Sequence, residues 1–374
     1  MIKRLIEEKI REDAGRGKVA LILGPRQVGK TTLLEQLTEA GMRVLRLNCD
    51  YVTDAQRLID RSADELASLL GGFDMVQIDE AQRVRDIGLT LKKIGDLHLS
   101  TRVVVTGSSS LELANGIYDS AVGRVLEYRL FPFAMEELAA TSSTIEQDRM
   151  LPQRLIYGLY PEVVNDPAHA EETVMMLANN YLYRDMLAYQ GIKKPDLVVQ
   201  LLQALALQLG SEVSYNEIGN MLHVTSATVE SYVDLLEKCF IIFRLPAFSR
   251  NPRKEISKGR KVYFYDNGIR NALIDAFKPL EMRQDVGALW ENFVIAERVK
   301  RNAYHGHRAK LYFWRTYGQS EVDLVEESGG ELHAYEMKWN RASRARLPRA
   351  FAASYPEASF DVITPDSYWA FVMG

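Results

Sequence analysis

Gly24-Pro25-Arg26-Gln27-Val28-Gly29-Lys30-Thr31 sets two glycines, a lysine and a hydroxyl at the spacing that surrounds a polyphosphate. The glycines let successive backbone N–H groups turn inward around a β-phosphate, Lys30 reaches the β and γ oxygens, and the Thr31 hydroxyl is placed to bind Mg²⁺. Pro25, Arg26, Gln27, Val28 and Thr32 complete the same ATP-binding loop. A site of this kind also needs an apolar strand that ends in acid, and Phe73-Asp74-Met75-Val76-Gln77-Ile78-Asp79-Glu80 supplies one. Asp79 is the expected Mg²⁺ partner. Glu80 is placed to orient and deprotonate the attacking water, which makes the chain a hydrolase rather than a passive nucleotide binder. The plainer reading of Asp79-Glu80 is a cap for the helix starting near Ala81.

Two further positions join this chemistry. Thr101-Arg102-Val103-Val104-Val105-Thr106 reads as a strand and runs into Gly107-Ser108-Ser109-Ser110. A polar residue at such a strand end senses the γ-phosphate in ATPases with an extra strand between the loop strand and the acid strand, and Ser108 is the candidate. Its alternative role is a helix cap for Leu111 onward. Arg124, before the strand Val125 to Leu130, either neutralises transition-state charge, in cis or across a subunit interface, or pairs with a surface acid.

A second constellation lies near the C-terminus. Ser320 to Glu327 and Glu331 to Trp339 read as strands joined through Gly329-Gly330. If the two glycines form a two-residue hairpin turn, Ser328 faces Glu331, Asp323 faces Glu336 and Glu321 faces Lys338, with all four of these last side chains on one sheet face. Two opposed carboxylates are unfavourable by a few tenths to about 1 kcal/mol, so a cation is expected between them. Asp323 and Glu336 holding Mg²⁺ or Mn²⁺, with Lys338 stabilising a pentavalent phosphate, is what phosphodiester cleavage needs. A surface hairpin with solvated acids is the other reading.

The elements that must carry these residues follow from length and pattern. At 374 residues the chain exceeds one ordinary core. Its segments read as residues 1–140, an ATPase core; 141–210, a helical lid or linker; 211–280, helix, turn, helix and wing; and 281–374, a second α/β domain. Residues 18–23 are an apolar run of the type that fills a buried parallel strand. Ser214 with Glu217 makes a capping box for a helix through Met221, and Ser226 to Lys238 forms the next helix. That second helix carries Glu230, Asp234 and Glu237, which repel phosphate. The wing 244–261 is basic, with Arg244, Arg250, Arg253, Lys254, Lys258, Arg260 and Lys261 against Glu255 alone.

Composition narrows the function classes. The formal charge is −4, so a nucleic-acid surface has to be a local patch. Two cysteines, Cys49 and Cys239, support neither a disulfide framework nor a zinc site, which points to a reducing, cytoplasmic compartment. No run of 18 apolar residues is present, so no membrane span is expected.

Gly24 to Thr32, Ile78-Asp79-Glu80, Thr106-Gly107-Ser108-Ser109, Gly123-Arg124, Tyr160-Pro161-Glu162 and Tyr263-Phe264-Tyr265-Asp266 together resemble bacterial and archaeal ATPases of the AAA superfamily that carry a C-terminal domain of unknown function. The resemblance covers nearly the whole chain and implies an ATPase of unsettled cellular role. Asp323 followed by Glu336-x-Lys338 resembles the restriction-endonuclease-like superfamily, although the proline that often precedes the first acid is absent. That second resemblance implies Glu291, on the helix upstream, as a further metal ligand. The expected fold class is therefore α/β: an N-terminal P-loop AAA-type domain with a parallel sheet, a helical lid, a winged-helix middle and a restriction-endonuclease-like C-terminal domain. The expected cofactors are ATP and Mg²⁺, with Mn²⁺ an option at the second site. The expected partners are DNA or RNA along 244–261 and along the arginines of 341–349, and further copies of this chain. Two functions stay open: an ATPase that controls a nuclease-like domain, and an ATP-dependent switch whose nuclease-like fold only recognises a partner.

Overall fold

The structure, a computed structural model, describes residues 2–14, 16–108, 123–187, 195–249, 259–316, 318 and 320–373, with backbone alone for 180–187 and 195. The chain divides into two compact units. One comprises Met1–Phe131 with Tyr181–Lys193 and Lys238–Phe240, and the other comprises Pro132–Asn180, Lys194–Glu237 and Ile241–Gly374.

The first unit is built on five parallel strands in the order β2-β3-β4-β1-β5. They are β1 Val19–Leu23, β2 Val44–Asn48, β3 Met75–Asp79, β4 Arg102–Gly107 and β5 Val125–Arg129. Every residue of β1 and β3 is buried, since a parallel strand covered on both faces has no solvent side to alternate with; β1 accordingly reads as an unbroken apolar run, whereas β3 buries Gln77 by hydrogen bonds to Leu34 O and the Thr38 hydroxyl. β4 lies between the loop strand β1 and the acid strand β3, as the sequence reading required. Because the strands are parallel, all their C-terminal ends, and the loops that follow, open on one edge of the sheet.

The second unit holds two smaller sheets. β6 Glu212–Val213, β8 Arg260–Phe264 and β7 Ile242–Pro246 form an antiparallel sheet in the order β6-β8-β7. Helices Tyr215–Leu222 and Ser226–Lys238 lie between β6 and β7 in the chain, joined by a turn in which His223 adopts φ +56°. Ser214 caps the first of them by accepting the Glu217 N–H. Asp266, directly after β8, caps helix Asn267–Leu273 through the Ile269 N–H and also accepts the Leu159 N–H at 2.7 Å. The motif Tyr263 to Asp266 is thus a structural knot.

The other sheet runs β12-β11-β10-β9, from β9 Lys310–Arg315, β10 Glu321–Ser328, β11 Glu331–Met337 and β12 Ser359–Ile363. β9, β10 and β11 are an antiparallel meander, whereas β12 returns through helix Arg349–Ser354 to lie parallel to β11. One face closes over Trp314, Val322, Val325, Ala334, Phe351 and Tyr355. Helix Val286–His305 precedes the sheet and is tied to it by the buried Trp290, whose indole N–H donates to Ile363 O at 3.1 Å. Gly329 and Gly330 adopt φ +61° and +89°, the left-handed values a two-residue hairpin turn demands at both positions. Ser328 pairs with Glu331 and the ladder continues to Leu324 and Tyr335.

Candidate nucleotide site and C-terminal acid and lysine cluster

The loop Gly24–Gly29 joins β1 to helix Lys30–Leu37. It is held from beneath by the exit of β5: Leu130 N–H donates to Leu23 O, and a Cβ at Gly24 would sit 2.2 Å from Leu130 O, so only glycine fits there. Gln27 and Gly29 have φ of +60° and +91°. Such alternation of left-handed residues gathers N–H groups on one concave side and makes an anion cradle. Lys30 is buried, with its ammonium on Gly24 O at 3.0 Å and Pro25 O at 2.8 Å. Thr31 Oγ1 donates to Asp79 Oδ2 at 2.8 Å.

The other oxygen of Asp79 belongs to a residue the sequence reading passed over. Thr106 Oγ1 donates to Asp79 Oδ1 and accepts the Glu80 N–H at 3.2 Å. The β3–β4 register explains the contact, since Ile78 pairs with Val105 and the next residues are Asp79 and Thr106. Ser108 sits fully buried at the end of the same strand, where its N–H donates to Gln82 Oε1 at 3.0 Å. Gln82 in turn donates its amide to Glu80 Oε2. Glu80 itself adopts φ +53°, a left-handed conformation that costs a non-glycine residue about 1–3 kcal/mol and clusters at functional turns. Ser109 and Ser110 lie outside the described residues.

Arg124 needs correction as a nucleotide contact of its own chain. It precedes β5, and its carbonyl accepts from Val19 at the start of β1, the sheet edge opposite the loop. Roughly 13 Å of strand separates that edge from Leu23. Its guanidinium pairs with Asp96, the surface acid of the alternative reading.

In the second unit Asp323, Glu336, Lys338 and Glu291 come together, along with two residues not foreseen. Lys338 Nζ stands 2.7 Å from Glu336 Oε1 and 3.9 Å from Asp323 Oδ2. The ladder between β10 and β11 ends at Leu324, and β10 shifts register against β9 between Val322 and Val325. At that irregularity the Asp323 carboxylate takes the Met337 N–H at 2.8 Å. A bulge of this kind re-aims a side chain. Glu321 does not face Lys338 as expected; it pairs with Lys261 and, at 3.5 Å, with Arg315.

Lys261 and Tyr263, alternate residues of β8, are the unforeseen members. Tyr263 Oη donates to Glu291 Oε1 at 2.6 Å and Lys261 Nζ reaches the same oxygen at 3.1 Å. Glu291, the further metal ligand of the second resemblance, is thus a carboxylate whose Oε1 accepts from both a tyrosine and a lysine. Among the described residues no three His, Cys, Asp or Glu side chains form a group able to hold a metal ion. Burial raises all three acids: Glu291 is pushed up to about 7, with repulsion from Asp323 adding to the shift, and Asp323 and Glu336 rise for the same first reason. Burial alone would lower Lys261, but Glu291, Glu321 and Asp323 overcome it and hold the ammonium up at about 12.

Of the expected nucleic-acid wing 244–261, the three described basic residues are engaged within the chain. Lys261 is 1 % exposed, Arg244 is bound by Asp234 and Glu237, and Arg260 pairs with Glu230 while lying over the Tyr215 ring. Arg250, Arg253, Lys254 and Lys258 lie outside the described residues. In the stretch 341–349, Arg341 pairs with Asp366, whereas Arg344, Arg346 and Arg349 are exposed.

Against known families, residues 16–139 match the model described as AAA domain. Residues 16–139 are an AAA-type P-loop ATPase domain. Residues 148–280 and 286–366 each match a domain of unknown function, DUF8612 and DUF4143, so the ATPase domain is followed by two segments whose family descriptions carry no activity. Uncharacterized proteins of Mycobacterium tuberculosis and Mycobacterium bovis are each 29% identical over 354 residues, covering 92% of this chain and 75% of theirs. An uncharacterized protein of Haemophilus influenzae is 24% identical over 338 residues, covering 84% of this chain and 80% of its own. Among solved structures, a Walker-type ATPase of Pyrococcus abyssi is similar at 16% identity and TM-score 0.46, over 73% of this chain and 96% of that one. Cdc6p of Pyrobaculum aerophilum is similar at 15% identity and TM-score 0.30, over 74% and 96%. No helix among the described residues is long and apolar enough to cross a membrane.

Proposed function

We propose that this chain hydrolyses ATP with Mg²⁺ and works as a nucleotide switch whose second unit recognises a partner. The observation that carries the reading is the double capture of Asp79, by Thr31 from the phosphate loop and by Thr106 from β4. Thr31 and Asp79 would hold Mg²⁺, which supplies charge neutralisation on the phosphates and a template for the reacting group. Their hydroxyl and carboxylate are already in contact, so the donor set fits a hard cation that prefers oxygen ligands. Lys30 binds the β and γ oxygens in exchange for two backbone carbonyls. Glu80 accepts the proton of the attacking water, and Gln82 holds its carboxylate. Phosphate release by wild type, Lys30→Ala and Glu80→Gln tests this: both variants should lose turnover, and Glu80→Gln should keep nucleotide. Turnover unchanged by both would refute it.

For the second unit we favour recognition without cleavage, because Lys338 and Lys261 supply, from within the chain, the positive charge that the acids Asp323, Glu336 and Glu291 require. One observation favours the nuclease reading instead. Asp323, Glu336 and Lys338 converge, as a metal-dependent phosphodiesterase needs, on a sheet reached in the order helix, three strands, helix, strand. The exposed Arg344, Arg346 and Arg349, on the chain that follows β11, suit a phosphate backbone. Linear, circular, single-stranded and branched DNA and RNA incubated with Mg²⁺ or Mn²⁺, with and without ATP, separate the two. Cutting lost in Asp323→Ala and Lys338→Ala makes the chain a nuclease; no cutting keeps recognition.

A further inference from the structure

We infer that Arg4 is a positioning residue for the nucleotide phosphates. It acts on the cradle from outside, through the Val28 carbonyl. The inference rests on the nucleotide reading of the loop Gly24–Thr31.

Arg4 lies just before helix Ile6–Asp13 and is 4% exposed. One guanidinium nitrogen donates to Val28 O at 2.7 Å, and another donates to Phe131 O at 2.7 Å. Val28 O belongs to the phosphate loop, and Phe131 follows the exit of β5 that supports the loop at Leu130. Residues around Arg4 are fixed in turn: Gln36 donates to Ile2 O at 3.1 Å, and Arg11 binds Leu37 O at 3.1 Å and Glu39 at 2.7 Å. The N-terminal segment is thereby strapped to the far end of helix Lys30–Leu37, and Arg4 is delivered to the near end.

The chemical consequence comes from the peptide between Val28 and Gly29. In a trans peptide the C=O of one residue and the N–H of the next point in opposite directions. Arg4 holds the Val28 carbonyl on its own side, so the Gly29 N–H is turned to the other side. With Gln27 and Gly29 in left-handed conformations, that other side is the concave one, where the cradle presents its donors. A cation on the carbonyl also polarises the peptide and strengthens the N–H as a donor. Arg4 thus sets both the aim and the strength of one donor, and its second hydrogen bond pins that setting to β5.

The test compares ADP with AMP, since both carry the base and ribose but only ADP places a β-phosphate in the cradle. Full-length wild type, Arg4→Ala and Arg4→Lys are titrated by competition against a fluorescent ADP analogue, with the melting temperature of each apo protein measured alongside. The ratio of ADP to AMP affinity should fall about tenfold in Arg4→Ala, the order expected for a lost hydrogen bond to a charged group. Millimolar guanidinium should restore much of that ratio. Arg4→Lys keeps the charge but cannot span two carbonyls, and should fall in between; it also serves if Arg4→Ala does not fold. A merely structural role would lower the melting temperature and move ADP and AMP together, and that result would overturn the inference. An unchanged ratio in both variants would overturn it equally, with the nucleotide reading intact. Wild type that binds no ADP would instead remove the nucleotide reading, and this inference with it.

Discussion

The two chemical sites of this molecule handle buried charge in opposite ways. In the phosphate loop Lys30 donates to the backbone carbonyls of Gly24 and Pro25, Asp79 accepts from the hydroxyls of Thr31 and Thr106, and Glu80 accepts from the Gln82 amide. These contacts are hydrogen bonds to neutral groups that a bound phosphate and its Mg²⁺ can replace, and the loop adds N–H donors for an anionic ligand. In the C-terminal cluster the acids bond directly to lysines of the same chain, two acids to each: Lys261 between Glu291 and Glu321, Lys338 between Glu336 and Asp323. A site whose charged groups rest on neutral, exchangeable partners is prepared to bind; a site whose acids and lysines bond directly to one another is prepared to hold the fold together. The difference teaches that residue types alone do not identify a reactive site, since both clusters contain the acids and lysines that phosphate chemistry uses.

This contrast can be broken by removing one lysine at a time. Lys261→Met leaves two carboxylates without their buried counter-charge and should destabilise the protein by about 3–5 kcal/mol, read as a large drop in melting temperature. Wild-type stability in that variant would mean the cluster is not structural. Lys30→Ala removes hydrogen bonds to the carbonyls of Gly24 and Pro25, so folding should suffer far less than in Lys261→Met. Nucleotide affinity should instead fall by about 2–3 kcal/mol, measured by calorimetric titration of ADP. A loss of stability with unchanged affinity would reverse the assignment of the two sites.

Smaller changes sharpen it. Lys338, with a side chain 36% exposed, is the solvent-facing member of the cluster, and Lys338→Met should cost about 1 kcal/mol or less where Lys261→Met costs several. Equal costs would show that both lysines are equally internal. The smallest effect is expected for Arg124→Ala: a surface pair with Asp96 is lost, stability changes by under about 1 kcal/mol, and ADP affinity stays at the wild-type value. Weakened ADP binding by dilute, monomeric Arg124→Ala would place that arginine at the nucleotide after all.

How much of this was legible in the sequence depends on the range of each interaction. The strand, loop and helix around Gly24 to Thr31, the acid strand ending at Asp79, and the hairpin turn at Gly329-Gly330 are local, and their patterns stand within a few residues. Thr106 was within reach: once β4 is placed beside β3, the residue level with Asp79 is Thr106, two before the chosen Ser108. The misplacement of Arg124 comes from strand direction, since a residue before a parallel strand lies at the edge remote from the loops. Lys261 and Tyr263 left a faint signal, because they alternate with Val262 and Phe264 in a run of strand-forming residues, and period two puts them on one face. What that face meets, Glu291 and Glu321, is decided by packing across segments far apart in the chain. Arg4 left none; a basic residue before a helix is ordinary, and only the closed fold brings it to Val28 and Phe131.

The central claim is that Glu80 drives hydrolysis in a site whose binding is built from other groups. The most direct test measures phosphate release and ATP affinity together for wild type and Glu80→Gln with Mg²⁺ present. Turnover should fall by about 10²–10⁴ while ATP affinity stays within about twofold of wild type. Equal turnover in the two proteins, with ATP bound by both, would contradict it.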